Sequence, residues 1–184
     1  RWLEMPGAVQ ALAYSPRGDY LAIGTTGQQD APHLRIMRLA TEEVVLERNL
    51  ALGEVYSLSW VGKDGVSTLS VSGRKGIALW NVPPHEPSKA ESVMELQRDW
   101  CLSTTIDQTS RWMAWVEINE IHVWDLDAGV ERRISAPPML QGWHGIAFVP
   151  GSDSLVFVSA DGALEVWDDG LDRGVSTYAD PDTM

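Results

Sequence analysis

The sequence predicts an all-β chain made of four repeats, each folding into four short antiparallel strands, and three observations carry that prediction. One six-residue pattern occurs four times, as LRIMRL (34–39), IALWNV (77–82), IHVWDL (121–126) and LEVWDD (164–169). Its equivalent positions Met37, Trp80, Trp124 and Trp167 stand 43, 44 and 43 residues apart, a register that chance does not keep. Around each copy lie alternating or β-branched runs separated by Gly, Pro, Asp and Ser clusters, while helical periodicity is hard to find.

The first unit spans about 7–49. VQALAYSPRGDYLAIG (9–24) supplies a strand, a turn and a second strand, LRIMRL the third and EVVLER (43–48) the fourth. In the second unit, about 53–98, VYSLSWVGKDGVSTLSVSG (55–73), IALWNV and ESVMEL (91–96) fill the same places. Between its last two strands runs VPPHEPSKAE (82–91), whose three prolines predict an exposed loop in extended conformation. The third unit, about 99–135, has CLSTTIDQTSRWMAWV (101–116), IHVWDL and GVERRI (129–134). The fourth, about 142–180, has WHGIAFVPGSDSLVFVSADG (143–162), LEVWDD and GVSTYA (174–179).

With the SPRG turn at 15–18 and SADGALEVWD at 159–168, this pattern resembles the WD-repeat β-propeller family over roughly residues 7–180. The resemblance implies four four-stranded antiparallel blades, each with a Trp at the end of its third strand. Trp80, Trp124 and Trp167 are then inter-blade wedges, and Met37 is a flexible filler of the same slot. Such a Trp is expected to be buried, covering roughly 150–250 Å², on the order of 4–6 kcal/mol before entropy. The Asp and Gly after Trp124 turn the chain toward the outer strand. The family's buried polar network also needs a Gly-His before the first strand and an Asp in the turn between second and third strands. No unit has the Gly-His, and only Asp161, with Asn119 as a substitute in the third unit, suits the turn. Packing is therefore expected to replace most of that network.

Blades of this family usually close as seven or eight, so four make about half a ring. The first and fourth blades would each leave an apolar face larger than a soluble monomer tolerates. The expectation is that the ring is completed by the rest of a longer chain, with a second copy of this one as the alternative. The start at Arg1 and the YADPDTM ending favour the longer chain.

Composition sets the remaining bounds. The 184 residues, 44% hydrophobic, suffice for one large all-β unit. There is no apolar run of membrane-spanning length and no basic-then-apolar leader at the start, so no membrane partner is expected. The lone Cys101 makes neither an internal disulfide nor a zinc framework, which favours a reducing, cytoplasmic setting. A net charge of −12 would repel a phosphate backbone, so nucleic acid is not an expected partner. Arg74-Lys75 is a small basic exception.

Motifs for catalysis are missing: no Gly-x-Ser-x-Gly elbow, no phosphate-cradling Gly-rich loop and no His-Glu-x-x-His. His33, His85, His122 and His144 fall in four different units without metal-ligand spacing, so no metal and no cofactor are expected. Glu117 and Glu120 flank a tight turn and read as solvated rather than as an acid–base pair. Cys101, at the start of a strand beside Trp100 and with no basic residue expected to lower its pKa, reads as a buried structural thiol.

Binding suits this architecture better than catalysis. The resemblance implies docking across the loops that enter each first strand and those that join second and third strands. The first set holds Tyr56, Trp100, Trp143 and His144; the second holds Arg74, Lys75, Gln28, Gln29, Asn119 and Asp161. Aromatic and Arg side chains anchor protein interfaces, although Trp143 and Trp100 also suit a core. The long first-unit turn GTTGQQDAPHLRI (24–36) is a further candidate contact loop. The leading expectation is a non-catalytic scaffold or sensing module for other proteins or peptides. The alternative is a propeller enzyme or small-molecule binder with a site at the central channel.

Overall fold

The structure, a computed structural model, describes residues 5, 7–26, 33–63, 65–118, 120–135, 145–158, 164–168 and 173–178. Among the described residues, sixteen strands form four separate four-stranded sheets, each antiparallel throughout and each following chain order. The first contains β1 (Ala8–Tyr14), β2 (Tyr20–Thr26), β3 (Leu34–Arg38) and β4 (Glu43–Arg48). The second contains β5 (Val55–Lys63), β6 (Val66–Gly73), β7 (Gly76–Asn81) and β8 (Glu91–Gln97). The third contains β9 (Ser103–Ile106), β10 (Trp112–Glu117), β11 (Glu120–Asp125) and β12 (Val130–Ser135). The fourth contains β13 (Ile146–Phe148), β14 (Leu155–Val158), β15 (Leu164–Asp168) and β16 (Arg173–Tyr178). The six-residue repeat is the third strand of every sheet.

Strand alternation decides which sheets meet. Cross-strand partners share a face, so Ala22 with Ile36, and Trp80 with Leu69, sort onto one side of their sheets. The side of the first sheet carrying Tyr20, Ala22, Leu34 and Ile36 packs on Val55, Trp60, Leu69, Val71 and Trp80 of the second. Ile77 and Leu79, on the second sheet's other side, meet Met113, Trp115 and part-buried Trp124. Trp112, Ala114, Ile121 and Val123 in turn meet Phe148, Leu155, Phe157 and Trp167. Three apolar layers thus glue four sheets in sequence. The inner strands β1, β5, β9 and β13 follow one another across these layers, and no comparable contact joins β13 back to β1 among the described residues.

Each repeat tryptophan faces the preceding sheet. Trp80 and Trp167 are 6% and 7% exposed, and their indole nitrogens are buried without a hydrogen-bond partner, so both act through packing. Trp124 differs from expectation: it is only part-buried, its ring tilted 32° against that of Trp115 at 6.5 Å. Trp115, fully buried, already fills the middle of that layer. Met37 is buried, yet it lies opposite the side that meets the second sheet, sharing its face with Leu21 and Val44. Among the described residues Met37 therefore belongs to none of the three inter-sheet layers.

Asp125 ends β11 by accepting hydrogen bonds from the Asp127 and Ala128 backbone N–H groups at 3.1 and 2.9 Å. The Gly129 N–H then bonds the Asp125 carbonyl, with Gly129 at a φ of 67° that favours glycine. A second such anchor, Asp107, accepts from the Trp112 N–H at 2.7 Å and the Thr109 N–H at 3.0 Å.

The segment 82–91 is not an exposed extended loop. It forms a 3-10 turn at Pro87–Lys89, and Val82, Pro87 and Ala90 are buried. Apolar Val82 and Ala90 join the layer between the first two sheets, which draws the segment inward.

Candidate functional site

Loops at one end of the sheets bring together residues that are far apart in sequence. The turn Arg74-Lys75 joins β6 to β7 and is knitted on both sides. The Arg74 and Lys75 N–H groups bond the carbonyls of Glu54 and Leu52 at 3.1 and 3.0 Å. The carbonyls of Gly73, Arg74 and Lys75 accept from the N–H groups of Cys101, Trp100 and Arg98 at 3.1, 2.9 and 3.2 Å. This close approach explains the flanking glycines, since a Cβ at Gly73 or Gly76 would run into the Glu54 or Leu96 carbonyl.

Trp100 sits on this frame with 43% of its surface exposed and a φ of 56°, a left-handed conformation uncommon for a bulky residue. Two partners hold its ring. The Arg74 guanidinium lies over it at 5.3 Å, and Tyr56 stacks at 6.1 Å with 16° between planes. The Tyr56 hydroxyl donates to Glu54 Oε2 at 2.9 Å. Burial, with that hydrogen bond and the charge on Glu54 behind it, pushes the phenol up to about 12, so it stays a donor. Arg74 and Lys75 are exposed, and neither makes an ion pair among the described residues.

The structure thus brings together Tyr56, Arg74, Lys75 and Trp100, and shows Trp100 at the surface rather than in a core. Asn119, Trp143, His144 and Asp161, with Gln28 and Gln29, lie outside the described residues.

Beside this platform lies a charged cluster. Arg98 reaches Glu131 Oε2 at 2.9 Å and Glu117 Oε1 at 3.5 Å. Glu117 also accepts from Trp115 Nε1 at 3.1 Å and approaches His122. It is therefore engaged rather than simply solvated, because a buried indole and imidazole lie beneath its turn. Cys101 is fully buried and, against the expectation, does have a basic neighbour, Arg98, three residues upstream. Burial, reinforced by Glu117, nonetheless outweighs that cation and pushes the thiol up to about 12.

The opposite end of the sheets carries a cavity of about 270 Å³, lined by Pro16, Arg17, Tyr20, Trp60, Pro84 and His85. Asp19 at its edge lies 3.6 Å from Arg17. No group of His, Cys, Asp or Glu among the described residues is arranged to hold a metal ion. No helix among them is long and apolar enough to cross a membrane.

No protein-family model matches the chain, and no curated protein matches it. Solved structures do. The β-propeller domain of Cps50 (Swd1) from Myceliophteria thermophila superposes with a TM-score of 0.70 at 20% identity, over 89% of this chain and 52% of that one. U3-55K superposes with a TM-score of 0.71 at 10% identity, over 97% of this chain and 53% of that one. The chain spans about half the length of these structures, and the likeness is one of fold.

Proposed function

We propose that this four-bladed β-propeller segment is a non-catalytic protein-interaction module, part of a larger ring, that docks other proteins or peptides through the loop end carrying Trp100. The observation that carries this reading is Trp100 itself: a large aromatic side chain kept at the surface in a left-handed conformation, with Arg74 and Tyr56 fixing its ring. A conformation of that kind costs free energy that core packing does not return, and such costs gather at functional positions. An exposed, pre-ordered aromatic beside an Arg is the composition of an interface anchor.

The larger ring is supported by the end faces. Leu12, Tyr14 and Val44 on the outward side of the first sheet are 58%, 65% and 38% exposed. On the outward side of the fourth, Val158 and Leu164 are 38% and 44% exposed. Part of each of these apolar sides is thus open to solvent, although Ile23 and Met37 on the outward side of the first sheet are buried. Further blades, from a longer chain or a second copy, would cover the open part.

Affinity capture with the parent chain and with Trp100→Ala, compared by mass spectrometry, tests the docking role. Proteins retained by the parent and lost by the variant are expected; identical sets from two equally folded baits would remove Trp100 from the function.

A further inference from the structure

Arg74 and Lys75 form the two-residue turn between β6 and β7, and both side chains are exposed. The chain has 26 acidic residues against 14 Lys and Arg, so carboxylates are plentiful. Arg17, Arg35, Arg38, Lys89, Arg98 and Arg111 each lie 2.6 to 3.6 Å from one. Arg74 and Lys75 do not: neither side chain has a carboxylate or other hydrogen-bond acceptor among the described residues. Arg98, whose N–H bonds the Lys75 carbonyl, is spent on Glu131 and Glu117, and Glu131 also lies 2.7 Å from His122 Nδ1. One Glu54 oxygen accepts from the Tyr56 hydroxyl, and exposed Asp99 pairs with neither cation.

What Arg74 does touch is the Trp100 ring, at 5.3 Å. A π face attracts the charge of a guanidinium without using its N–H groups, so those donors stay open. Lys75 adds an ammonium with donors of its own and a second positive charge. Trp100, 43% exposed, offers apolar surface beside them. Open donors, unpaired positive charge and an ordered indole therefore meet at one place, and this chain's described residues supply no acceptor to the two cations.

We propose that this platform recognises an acidic residue of a protein partner: the carboxylate of an Asp or Glu takes the Arg74 and Lys75 donors, and an adjacent apolar side chain lies on Trp100. The inference rests on the docking role proposed above and names the chemistry of what docks. A guanidinium matches a carboxylate with two parallel hydrogen bonds, which fix orientation as well as charge. The chain's net charge of −12 opposes a polyanion such as RNA, whose many phosphates feel the whole surface. For a short peptide with one or two carboxylates, salt screens charges beyond about 8 Å at physiological ionic strength, so the unpaired cations at the contact outweigh those farther away.

The test uses the full chain and pools of immobilised peptides with randomised flanks and a central Glu-Leu, Gln-Leu or Lys-Leu, together with oligouridine RNA. The parent, a chain with Arg74→Gln and Lys75→Gln, and Trp100→Ala are compared, with melting curves to check folding. The parent is expected to bind the Glu-Leu pool at least about tenfold more tightly than the Gln-Leu pool. That preference should vanish when both cations are replaced, while Trp100→Ala should weaken both pools. In the parent, a bound Glu-Leu peptide should also shift the Trp100 indole signal in NMR spectra. Equal binding of Glu-Leu and Gln-Leu pools, lost in Trp100→Ala, would overturn the acidic preference and leave the docking role standing. A Glu-Leu preference that survives replacement of both cations would overturn the proposal alone, and one that leaves the Trp100 signal unmoved would overturn the docking role with it. Retention of RNA in place of every peptide pool, or of no probe at all, would overturn both.

Discussion

The Arg74 guanidinium lies 5.3 Å from the centre of the Trp100 ring, joining a hairpin turn of the second sheet to the strand connection that leads into the third. An exposed cation over an indole contributes about 0.5–1 kcal/mol to stability. Trp100→Ala should therefore change unfolding free energy by no more than about 1 kcal/mol, while weakening a captured partner by about tenfold or more. Urea titrations and equilibrium binding on the same preparations would check both halves.

Reversing the turn's charges, Arg74→Glu with Lys75→Glu, should leave the melting temperature nearly unchanged, since exposed charges contribute little to the fold. Association with the captured partner should slow, and added salt should reduce the difference between parent and variant. Stopped-flow association at two ionic strengths would show it.

The repeat tryptophans should not be equivalent. Trp80→Ala removes a side chain 6% exposed from the first inter-sheet layer and should cost about 3–5 kcal/mol. Part-buried Trp124 should cost less when replaced by Ala, about 2–3 kcal/mol, because some of its surface is wet in the folded state. Denaturant midpoints at unchanged slope would rank them.

How far such differences were legible in the sequence depends on what sets them. The regular spacing of Met37, Trp80, Trp124 and Trp167 marks third strands because the period is local and survives any tertiary detail. Burial at each position does not follow from spacing: Trp115 is fully buried in the layer that Trp124 only borders, and two indoles do not fill one slot. Tyr56, Arg74 and Trp100 can be assigned to loop ends by counting strands, but their stacking needs the left-handed turn at Trp100. His122 and Glu131 sit diagonally across neighbouring strands, with His122 opposite Arg133. That pairing depends on register, which the alternation of hydrophobic residues leaves open. In 82–91 the prolines suggested an extended run, whereas Val82 and Ala90 decide where the segment goes.

Alkaline pH should destabilise the chain through Cys101. Its thiol is raised from 9.0 to about 12 by burial, so the unfolded state loses the proton first as pH rises. The stability this burial confers is complete below 9.0 and disappears as pH climbs toward about 12. Tyr56, raised from 10.0 to about 12, acts in the same direction. Melting temperatures measured from neutral to strongly alkaline pH should fall, and Cys101→Ala should flatten part of the slope. Iodoacetamide at neutral pH should label Cys101 only on unfolding.

The exposed apolar side chains on the outward sides of the end sheets should govern how the isolated chain behaves in solution. Association measured by light scattering is expected, and Leu12→Glu with Leu164→Lys should suppress it without lowering the melting temperature. A monodisperse parent of 20.3 kDa that unfolds cooperatively would favour a closed four-sheet ring instead.

Because the wedge of each layer always belongs to the later sheet, the stack has a direction, like a polymer with unlike head and tail. Every junction offers the same kind of socket on one side and the same kind of plug on the other. Loss or duplication of one whole unit of about 43 residues therefore recreates a usable junction, whereas a cut within a unit separates a plug from the strands that support it. Recombination can thus lengthen or shorten this architecture in whole steps, and the loops at Trp100 are free to diverge between copies while the junctions stay alike.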